Sequence, residues 1–317
     1  MTALRDITVI IPARNAVASI GATLASLAAA RDLIATVLLV DDASDDGTAA
    51  AARTAADASA LPLTVIDGGG RGPGAARNRA LERATSDFVF FIDADDQVLP
   101  GGLARMRSAL AADPRLVLAI GSFLRRIPGQ PDRVRRAQSY RRGAVGNARA
   151  YLSGRLRPVQ IGAALARRSA VGAIRFPEAA RYDEDTCFWA QLVAKGDAEG
   201  IADLVAVYNA SPERMEARFI ADPRRAFLDI SRAYRRLSGG HLDPAAIAIR
   251  RSILALSVAR IAVRHGDYRT AQRFLRRVGW EGLPLQVKYR RLRYDLRTRA
   301  ALALAALGLG RRSAGAT

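Results

Sequence analysis

The stretch Phe88-Val-Phe-Phe-Ile-Asp93-Ala-Asp95-Asp96 joins an apolar run to three carboxylates. The run is rich in aromatic and β-branched residues and lies between polar segments, so it predicts a short buried strand. The three acids then stand at the carboxyl end of that strand, outside which open α/β sheets bind their ligands. Oxygen-only ligands favour Mg²⁺ or Mn²⁺, and an ion held by one or two aspartates takes further ligands from water and phosphate. The alternative interpretation is a surface loop with solvated aspartates.

Three strand-loop-helix units precede this stretch. Their predicted strands are residues 7–11, 37–40 and 63–66, and their loops are either polar or rich in glycine. Such alternation predicts a parallel sheet with right-handed crossovers and helices on both faces. The loops, including those at residues 41–48 and 68–74, are therefore expected at one edge of the sheet.

Both of these loops also admit plainer interpretations. Asp41, Asp42 and Ser44 precede a predicted helix, and such residues commonly cap helices. The glycines that enclose Arg71 could form a simple flexible turn. They do not follow the first strand in the G-x-G-x-x-G pattern, so a dinucleotide-binding fold is disfavoured.

The net charge of +19 at pH 7 is concentrated in the last third of the chain. Residues 211–317 contain 23 basic and 8 acidic residues, a net charge of +15. Residues 1–210 contain 26 basic and 22 acidic residues, a net charge of +4. The pattern beyond residue 211 is mainly helical, and its partner is expected to be an anionic membrane surface, nucleic acid or an anionic substrate. A nucleic-acid-binding protein is thus a competing class, but no recognisable nucleic-acid-binding motif accompanies the charge.

A second basic stretch runs from residue 125 to residue 157. Twelve arginines lie between residues 125 and 168, with Asp132 as the one acid. We expect a solvated loop over most of it. The alternative is an acceptor-side surface for an anionic or lipid-phosphate substrate, because arginine suits phosphate recognition.

The single cysteine, Cys187, excludes an internal disulfide and fits a reducing compartment. The first residues lack the features of a secretory signal, and no apolar run reaches the roughly 18 to 20 residues that span a bilayer. We therefore expect a cytoplasmic protein, with any membrane attachment peripheral.

Five motifs resemble those of family 2 glycosyltransferases, the inverting enzymes of the GT-A fold that use nucleotide-diphosphate sugars. In chain order they are Val9-Ile-Ile-Pro-Ala-Arg14-Asn15, Val40-Asp41-Asp42-Ala-Ser44-Asp45-Asp46-Gly47-Thr48, Gly72-Pro-Gly-Ala-Ala-Arg77-Asn78, Phe91-Ile-Asp93-Ala-Asp95-Asp96 and Glu184-Asp185-Thr-Cys-Phe188. The resemblance implies an α/β, Rossmann-like GT-A domain with a mostly parallel sheet over residues 1–210. Its nucleotide-sugar half would be residues 1–100 and its acceptor half residues 101–210. A basic helical extension would follow over residues 211–317.

The resemblance also implies a role for each motif residue. Asp185 would be the general base with Glu184 beside it, although carboxylates at the start of a helix can also be mere dipole partners. The metal ligands for Mg²⁺ or Mn²⁺ would be Asp93, Asp95 and Asp96. The residues expected around the nucleotide sugar are Pro12, Arg14, Asn15, Asp42, Arg71, Arg77, Asn78, Asp93 and Ala94.

The implied partners are a nucleotide-diphospho-sugar donor and a glycan or lipid-linked acceptor, as in cell-surface or exopolysaccharide synthesis, with no nucleic acid. Three positions depart from the family pattern, namely Arg14 in place of an aromatic residue, Ala43 in place of glycine and Gln191 in place of arginine. A catalytically inactive sugar-nucleotide binding module is the alternative.

The predicted helix at residues 287–307 begins with a basic segment and ends in an Ala/Leu run. Such a helix can dock on an anionic membrane surface. It could instead pack on the catalytic domain or form a dimer interface.

Overall fold

The computed structural model describes residues 5–180, 182–211, 222–237 and 242–306. The strands are β1 (Ile7–Ala13), β2 (Ile34–Asp41), β3 (Leu63–Asp67), β4 (Phe88–Phe91), β5 (Gln97–Val98), β6 (Leu116–Arg126), β7 (Arg133–Arg135), β8 (Ala164–Arg167) and β9 (Asp197–Asn209). The helices are α1 (Ile20–Leu27), α2 (Thr48–Ala58), α3 (Pro73–Leu81), α4 (Gly102–Ala112), α5 (Gly143–Leu152), α6 (Arg168–Val171), α7 (Glu184–Val193), α8 (Pro223–Leu237), α9 (Pro244–Arg264), α10 (Tyr268–Leu275) and α11 (Leu285–Ala306). A 3-10 segment, Ala28–Leu33, joins α1 to β2.

The strands form one sheet in the order β3-β2-β1-β4-β8-β6-β9-β5, with β7 paired to β6. Strands β1 to β4 are mutually parallel, and β6 and β9 run in the same direction. Strand β8 lies antiparallel between β4 and β6. The expectation of a mostly parallel α/β sheet is confirmed, and the carboxyl ends of β1, β2, β3, β4, β6 and β9 share one edge.

The core lies on both faces of this sheet because successive strand residues point to opposite sides. Val9 and Phe90 belong to a cluster that includes residues of α1, α2 and α4. Ile10 and Phe91 belong to the opposite cluster, which includes residues of α3, α5 and α7. The helices therefore cover both faces, as the alternating pattern predicts.

The described C-terminal helices pack on the second of these faces. Phe227, Tyr234 and Leu254 are buried in the same cluster as Tyr151 and Trp189 of the first 210 residues. The helical character predicted for residues 211–317 is confirmed where the structure describes them. No helix in the described part of the chain has the length and apolarity needed to cross a membrane.

The arginine-rich segment differs most from its prediction. The expectation of a solvated loop is wrong for three parts of it, because β6 extends to Arg126, β7 pairs with that extension, and residues 143–152 form α5. Pairing with a neighbouring strand compensates for the low apolar content of β7, whose residues are all exposed.

Candidate functional site

Four loops meet at the carboxyl edge of the sheet. Ala13 at the end of β1 is paired with Asp41 of β2, and Asp41 is paired with Asp67 of β3. On the other side of β1, Ile10 is paired with Phe91, the last residue of β4. The loops that begin at Arg14, Asp42, Gly68 and Ile92 therefore lie side by side, as predicted from the alternation of strands and helices.

The first two loops are interlocked by hydrogen bonds. The amide of Asn15 donates to Ser44 Oγ at 3.0 Å, and Asn15 Oδ1 accepts from the amide of Asp45 at 3.1 Å. Asn15 and Ala43 both have positive φ angles, of 50° and 61°. Ala43 thus adopts a left-handed backbone conformation, which glycine adopts more readily.

Helix capping explains Asp46 of the second loop but not Asp41 or Asp42. Asp46 Oδ1 accepts at 3.0 Å from the amide of Thr48, the first residue of α2. Asp41 accepts instead from the amide of Ser44 at 3.0 Å, inside the loop. Asp42 turns toward the glycine loop.

Asp42 has a buried acceptor that its neighbours do not use. Its Oδ2 accepts from the amide of Gly72 at 2.8 Å, whereas the buried Oδ1 has no hydrogen-bond partner among the described residues. A Cβ atom at Gly68 would lie 2.9 Å from Asp42 Cα, so the loop passes too close for a side chain there. The glycines therefore permit a close backbone approach over Asp42, which a merely flexible turn would not require.

Arg71 and Asn78 meet at Glu178, which sequence reasoning did not identify. Arg71 is largely exposed and contacts Glu178 Oε2 at 2.5 Å, while Asn78 donates to Oε1 at 3.1 Å. Asn78 also exchanges hydrogen bonds with the backbone of Phe176, at 2.9 and 2.8 Å. Its amide thus holds residues 176–178 against α3.

Arg77 is the buried link between the two acidic motifs. Its side chain is 4 % exposed, and its Nη2 and Nη1 atoms lie 2.6 Å from Asp93 Oδ1 and 3.5 Å from Glu184 Oε1. Burial by itself lowers the pKa of Arg77, but the charges of Asp93, Glu184 and Asp185 raise it overall. The guanidinium therefore remains charged and brings Asp93 to the start of α7.

An aromatic cluster supports this link. The rings of Phe176 and Phe188 stack with centroids 4.1 Å apart, and Phe91 meets both edge-on. The guanidinium of Arg77 lies over the Phe176 ring at 5.2 Å. Because Phe91 precedes Asp93 and Phe188 follows Asp185, packing of these rings fixes the separation of the two acids.

The acidic cluster, defined as Asp93, Asp95 and Asp96, contains three different environments. Asp93 is partly exposed beside Arg77, Asp95 is exposed, and Asp96 is buried. Asp96 Oδ1 accepts from the amide of Asn209 at 2.8 Å, and its Oδ2 has no partner within the described ranges. Burial, followed by the charges of Asp93 and Asp95, raises the pKa of Asp96 to about 9.

The cluster suits a hard divalent cation. Its donors are carboxylate oxygens, one of them buried without a partner, and that donor set fits Mg²⁺ or Mn²⁺. The three expected ligands Asp93, Asp95 and Asp96 are not gathered into one site, because the described residues contain no group of three or more His, Cys, Asp or Glu side chains arranged to hold a metal ion. An ion at Asp93 and Asp95 would complete its shell with water and diphosphate. Ala94, between them, is buried, and its carbonyl accepts from Thr23 Oγ1 at 3.0 Å.

Glu184 and Asp185 form the first turn of α7. Burial is the largest cause that raises the pKa of each, and the charge of Asp185 also raises that of Glu184. Asp185 Oδ1 accepts from the amide of Thr186 at 2.6 Å. A carboxylate with a raised pKa is a better proton acceptor, which suits a general base.

Asp183, Tyr234 and Arg250 form a buried network that no sequence motif announces. Asp183, with φ 64°, accepts from the Tyr234 hydroxyl at 2.8 Å and from Arg250 Nε at 2.9 Å through the same oxygen. Arg250 also contacts the other oxygen of Asp183, and it donates to Thr186 Oγ1 at 3.2 Å. Helices α8 and α9 thereby hold the residue that immediately precedes Glu184 and Asp185.

Comparison with known families identifies the family to which this fold and site belong. The model of Glycosyl transferase family 2 matches residues 8–174, more than half of the chain. The chain belongs to this family. Membership confirms the resemblance to the family and the predicted enzyme class, a glycosyltransferase. Four of the five motifs lie within the matched residues, and the fifth, at residues 184–188, lies beyond them.

Two relatives that match part of the chain come from Rhizobium meliloti (strain 1021). The chain is 39 % identical over 103 residues to the succinoglycan biosynthesis protein ExoU and 34 % identical over 101 residues to the succinoglycan biosynthesis protein ExoO. Each alignment covers 32 % of this chain, and 30 % and 28 % of the two relatives. The chain thus matches less than a third of the length of either relative.

Solved structures extend the likeness to almost the whole chain. Residues 1–349 of S. aureus TarS superpose with a TM-score of 0.63 at 18 % identity, covering 96 % of this chain and 93 % of that fragment. The same fragment has also been solved with UDP-GlcNAc. The mannosyltransferase PcManGT from Pyrobaculum calidifontis was solved with GDP-Man and Mn²⁺. It superposes with a TM-score of 0.56 at 22 % identity, covering 94 % of this chain and 80 % of the PcManGT chain. The predicted GT-A fold is therefore confirmed.

Proposed function

We propose that the protein is an inverting transferase that moves a sugar from a nucleotide-diphosphate donor to a hydroxyl group of a glycan or lipid-linked acceptor. The observation that carries this proposal is the Arg77 bridge, which places Asp93 of the metal-type motif beside Glu184 and Asp185. A donor phosphate and an acceptor hydroxyl can then meet between the two acidic groups. An inactive binding module would need no part-buried base-type carboxylate beside the metal-type one.

The donor's nucleotide would lie over the ends of β1, β2 and β3. The unpartnered Oδ1 of Asp42 offers a buried acceptor for a base N–H, with Pro12, Arg14 and Asn15 on the adjoining loop. Arg71 and the glycine loop would border the diphosphate. UDP is the first nucleotide to test because TarS was solved with UDP-GlcNAc, and GDP is the second because PcManGT was solved with GDP-Man.

The chemistry follows from the placement of charge. When bound at Asp93 and Asp95, Mg²⁺ or Mn²⁺ supplies Lewis-acid stabilisation of the leaving diphosphate. Asp185 accepts the proton of the acceptor hydroxyl while the hydroxyl oxygen forms a bond to the anomeric carbon. The bond from that carbon to the diphosphate oxygen breaks in the same displacement, so the anomeric configuration inverts.

A test measures turnover and stereochemistry together. The protein is incubated with UDP-sugars or GDP-sugars, Mn²⁺ and membrane-derived or oligosaccharide acceptors, and the product is analysed by NMR. The expected product has the anomeric configuration opposite to that of the donor. Retained configuration, or failure of every nucleotide sugar to bind with Mn²⁺, would contradict the proposal.

We propose further that α11 attaches the enzyme to an anionic membrane surface on which such acceptors are found. Four large apolar side chains form an exposed stripe on this helix, with exposures of 81, 67, 49 and 60 % for Leu285, Tyr289, Leu292 and Leu296. Their spacing of four, three and four residues places them on one helix face. We refer to these four residues as the apolar stripe.

Basic residues lie along the apolar stripe. The exposed ones on α11 are Arg290, Arg293, Arg297 and Arg299, the last paired with Asp295 at 2.9 Å. Cations beside an apolar face suit the boundary between anionic headgroups and acyl chains. A second copy of the chain would place these cations against the same cations, which disfavours self-association through this face.

A further inference from the structure

A row of arginines crosses the sheet beside the acidic cluster. The proposed nucleotide site lies on one side of this cluster, and the arginines lie on the other. In the strand order, β1, β2 and β3 lie to one side of β4, and β6 and β9 lie to the other. Arg125 of β6 is paired with Arg133 of β7, and Phe123 is paired with Arg135. We call Arg125, Arg133 and Arg135 the arginine strip.

Register places the side chains of the strip on one face of the sheet. Paired residues in adjacent strands project to the same face, and so do residues two apart in one strand. Arg125 is also paired with Tyr208 of β9, and the Tyr208 ring meets that of Phe123 edge-on at 6.3 Å. Tyr208, Arg125 and Arg133 therefore stand in a row across three strands.

The row begins next to the acidic cluster. Asn209, which follows Tyr208, donates to the carbonyl of Asp95 at 2.6 Å and to Asp96 Oδ1 at 2.8 Å. Burial chiefly, then the charges of Asp96 and Asp93, raise the pKa of Tyr208 to about 12, and Arg125 acts in the opposite direction. Arg125 therefore lies close to Tyr208, the residue before the one that contacts the acidic cluster.

The strip has a charge that the described protein does not neutralise. Like charges opposed across a strand pair are destabilising, yet Arg125 faces Arg133. No described residue forms an ion pair with Arg125, Arg133 or Arg135. On the other face of the same strand, Arg126 is paired with Asp132 at 2.8 Å.

We propose that the arginine strip binds an oxyanion group of the acceptor, either a phosphate or a carboxylate. This inference rests on the proposed function and specifies the substrate class, an anionic acceptor. Guanidinium groups bind such oxyanions through two parallel N–H donors. The anion would lie on the acceptor side of the acidic cluster and orient the attacking hydroxyl toward it.

Two sources can supply the oxyanion, the diphosphate of a lipid carrier and the acidic sugars of a growing glycan. Calorimetry with farnesyl diphosphate, trigalacturonic acid and neutral maltotriose separates them. The titrations are performed on the full chain with saturating UDP and Mg²⁺, so that the donor site is occupied. We expect one of the two anions to bind and the neutral sugar not to bind.

The double variant Arg125→Gln/Arg133→Gln should weaken that binding about tenfold or more, since each charge-assisted contact contributes substantially. Arg126→Gln is the matched control and should bind as the wild type does, because Arg126 lies on the other face. Melting temperatures verify that all variants fold. Equal weakening in the control, or no binding of either anion, would overturn the proposal.

The proposed function is tested separately, on the same protein preparations before UDP is added. UDP binding with Mn²⁺ depends on the acidic cluster and should be unchanged in the double variant. Loss of anion binding with intact UDP binding therefore supports the strip. Failure of the wild type to bind any nucleotide contradicts the proposed function without bearing on the strip, whose anions are then titrated in the absence of UDP.

Discussion

Asp185 is the residue on which the proposed chemistry most directly depends. Asp185→Asn removes the proton acceptor, so turnover should fall roughly 10²-fold or more while UDP binding persists. If Asp185 merely supports the helix start, the substitution would instead cost about 1 kcal/mol of stability with little loss of turnover. Rates and melting curves on the same variant decide between the two. Burial raises the pKa of Asp185, and only the ionised carboxylate can accept a proton. The wild-type rate should therefore increase with pH, with a midpoint above the usual pKa of an aspartate.

A substitution at Asp95 tests whether nucleotide binding depends on a metal ion. It is exposed, so Asp95→Asn should leave folding intact while it weakens UDP binding in the presence of Mn²⁺. With EDTA, the wild type and the variant should bind UDP equally weakly. Calorimetry that gives the wild type the same UDP affinity with Mn²⁺ and with EDTA would contradict a metal role.

Arg77 and Arg71 offer a matched pair at the same site. Arg77→Gln leaves Asp93 and Glu184 without their buried cation and should lower the free energy of unfolding by about 3 kcal/mol. Arg71 is 67 % exposed in its pair with Glu178, so Arg71→Gln should cost less than about 1 kcal/mol. Urea denaturation measures both. Equal stability of the two variants would be inconsistent with the bridging role of Arg77.

The sequence predicted the site residues that stand in short motifs and not those that are distant in sequence but in contact in the fold. Asp42, Asp93 and Asp185 follow strands or begin helices, where local pattern predicts them. Glu178 and Arg250 occupy no motif, and they reach the site only because folding brings residues 107 and 67 positions apart into contact. No local pattern reports such pairings.

At the scale of elements, α11 is the part whose partner is testable. Leu292→Ser/Leu296→Ser should weaken binding to vesicles of phosphatidylglycerol and phosphatidylcholine in equal parts by about tenfold or more, since buried apolar area drives interfacial binding. Val145, 60 % exposed on α5, provides the control Val145→Ser, which should bind normally. Cosedimentation measures both. Wild-type protein that remains in the supernatant at low salt would exclude membrane attachment through the apolar stripe.

The central strands were predictable because they are apolar on both faces, as in β1 and β4. Elements with little apolar content were not. Strand β7 consists of Arg133, Val134 and Arg135, all exposed, and it exists through its ladder with β6. Strand β5 has only two residues, too few for any periodicity to be visible.

At the scale of the whole molecule, one hydrophobic cluster joins the sheet to the C-terminal helices. It contains Val89 and Trp189 as well as Tyr234 and Leu254. We therefore expect a single calorimetric unfolding transition, because neither part can keep its side of the cluster buried alone. Two resolved transitions would instead support independent folding of residues 1–210 and 211–317.

Cys187 has a practical consequence for labelling the protein. It is the chain's one cysteine, it is buried, and burial chiefly raises the pKa of its thiol to about 12. At neutral pH the thiol is therefore almost entirely protonated and shielded from maleimide reagents. A cysteine introduced on the surface would be labelled almost alone, so a fluorophore or spin label can be attached without first removing the native thiol.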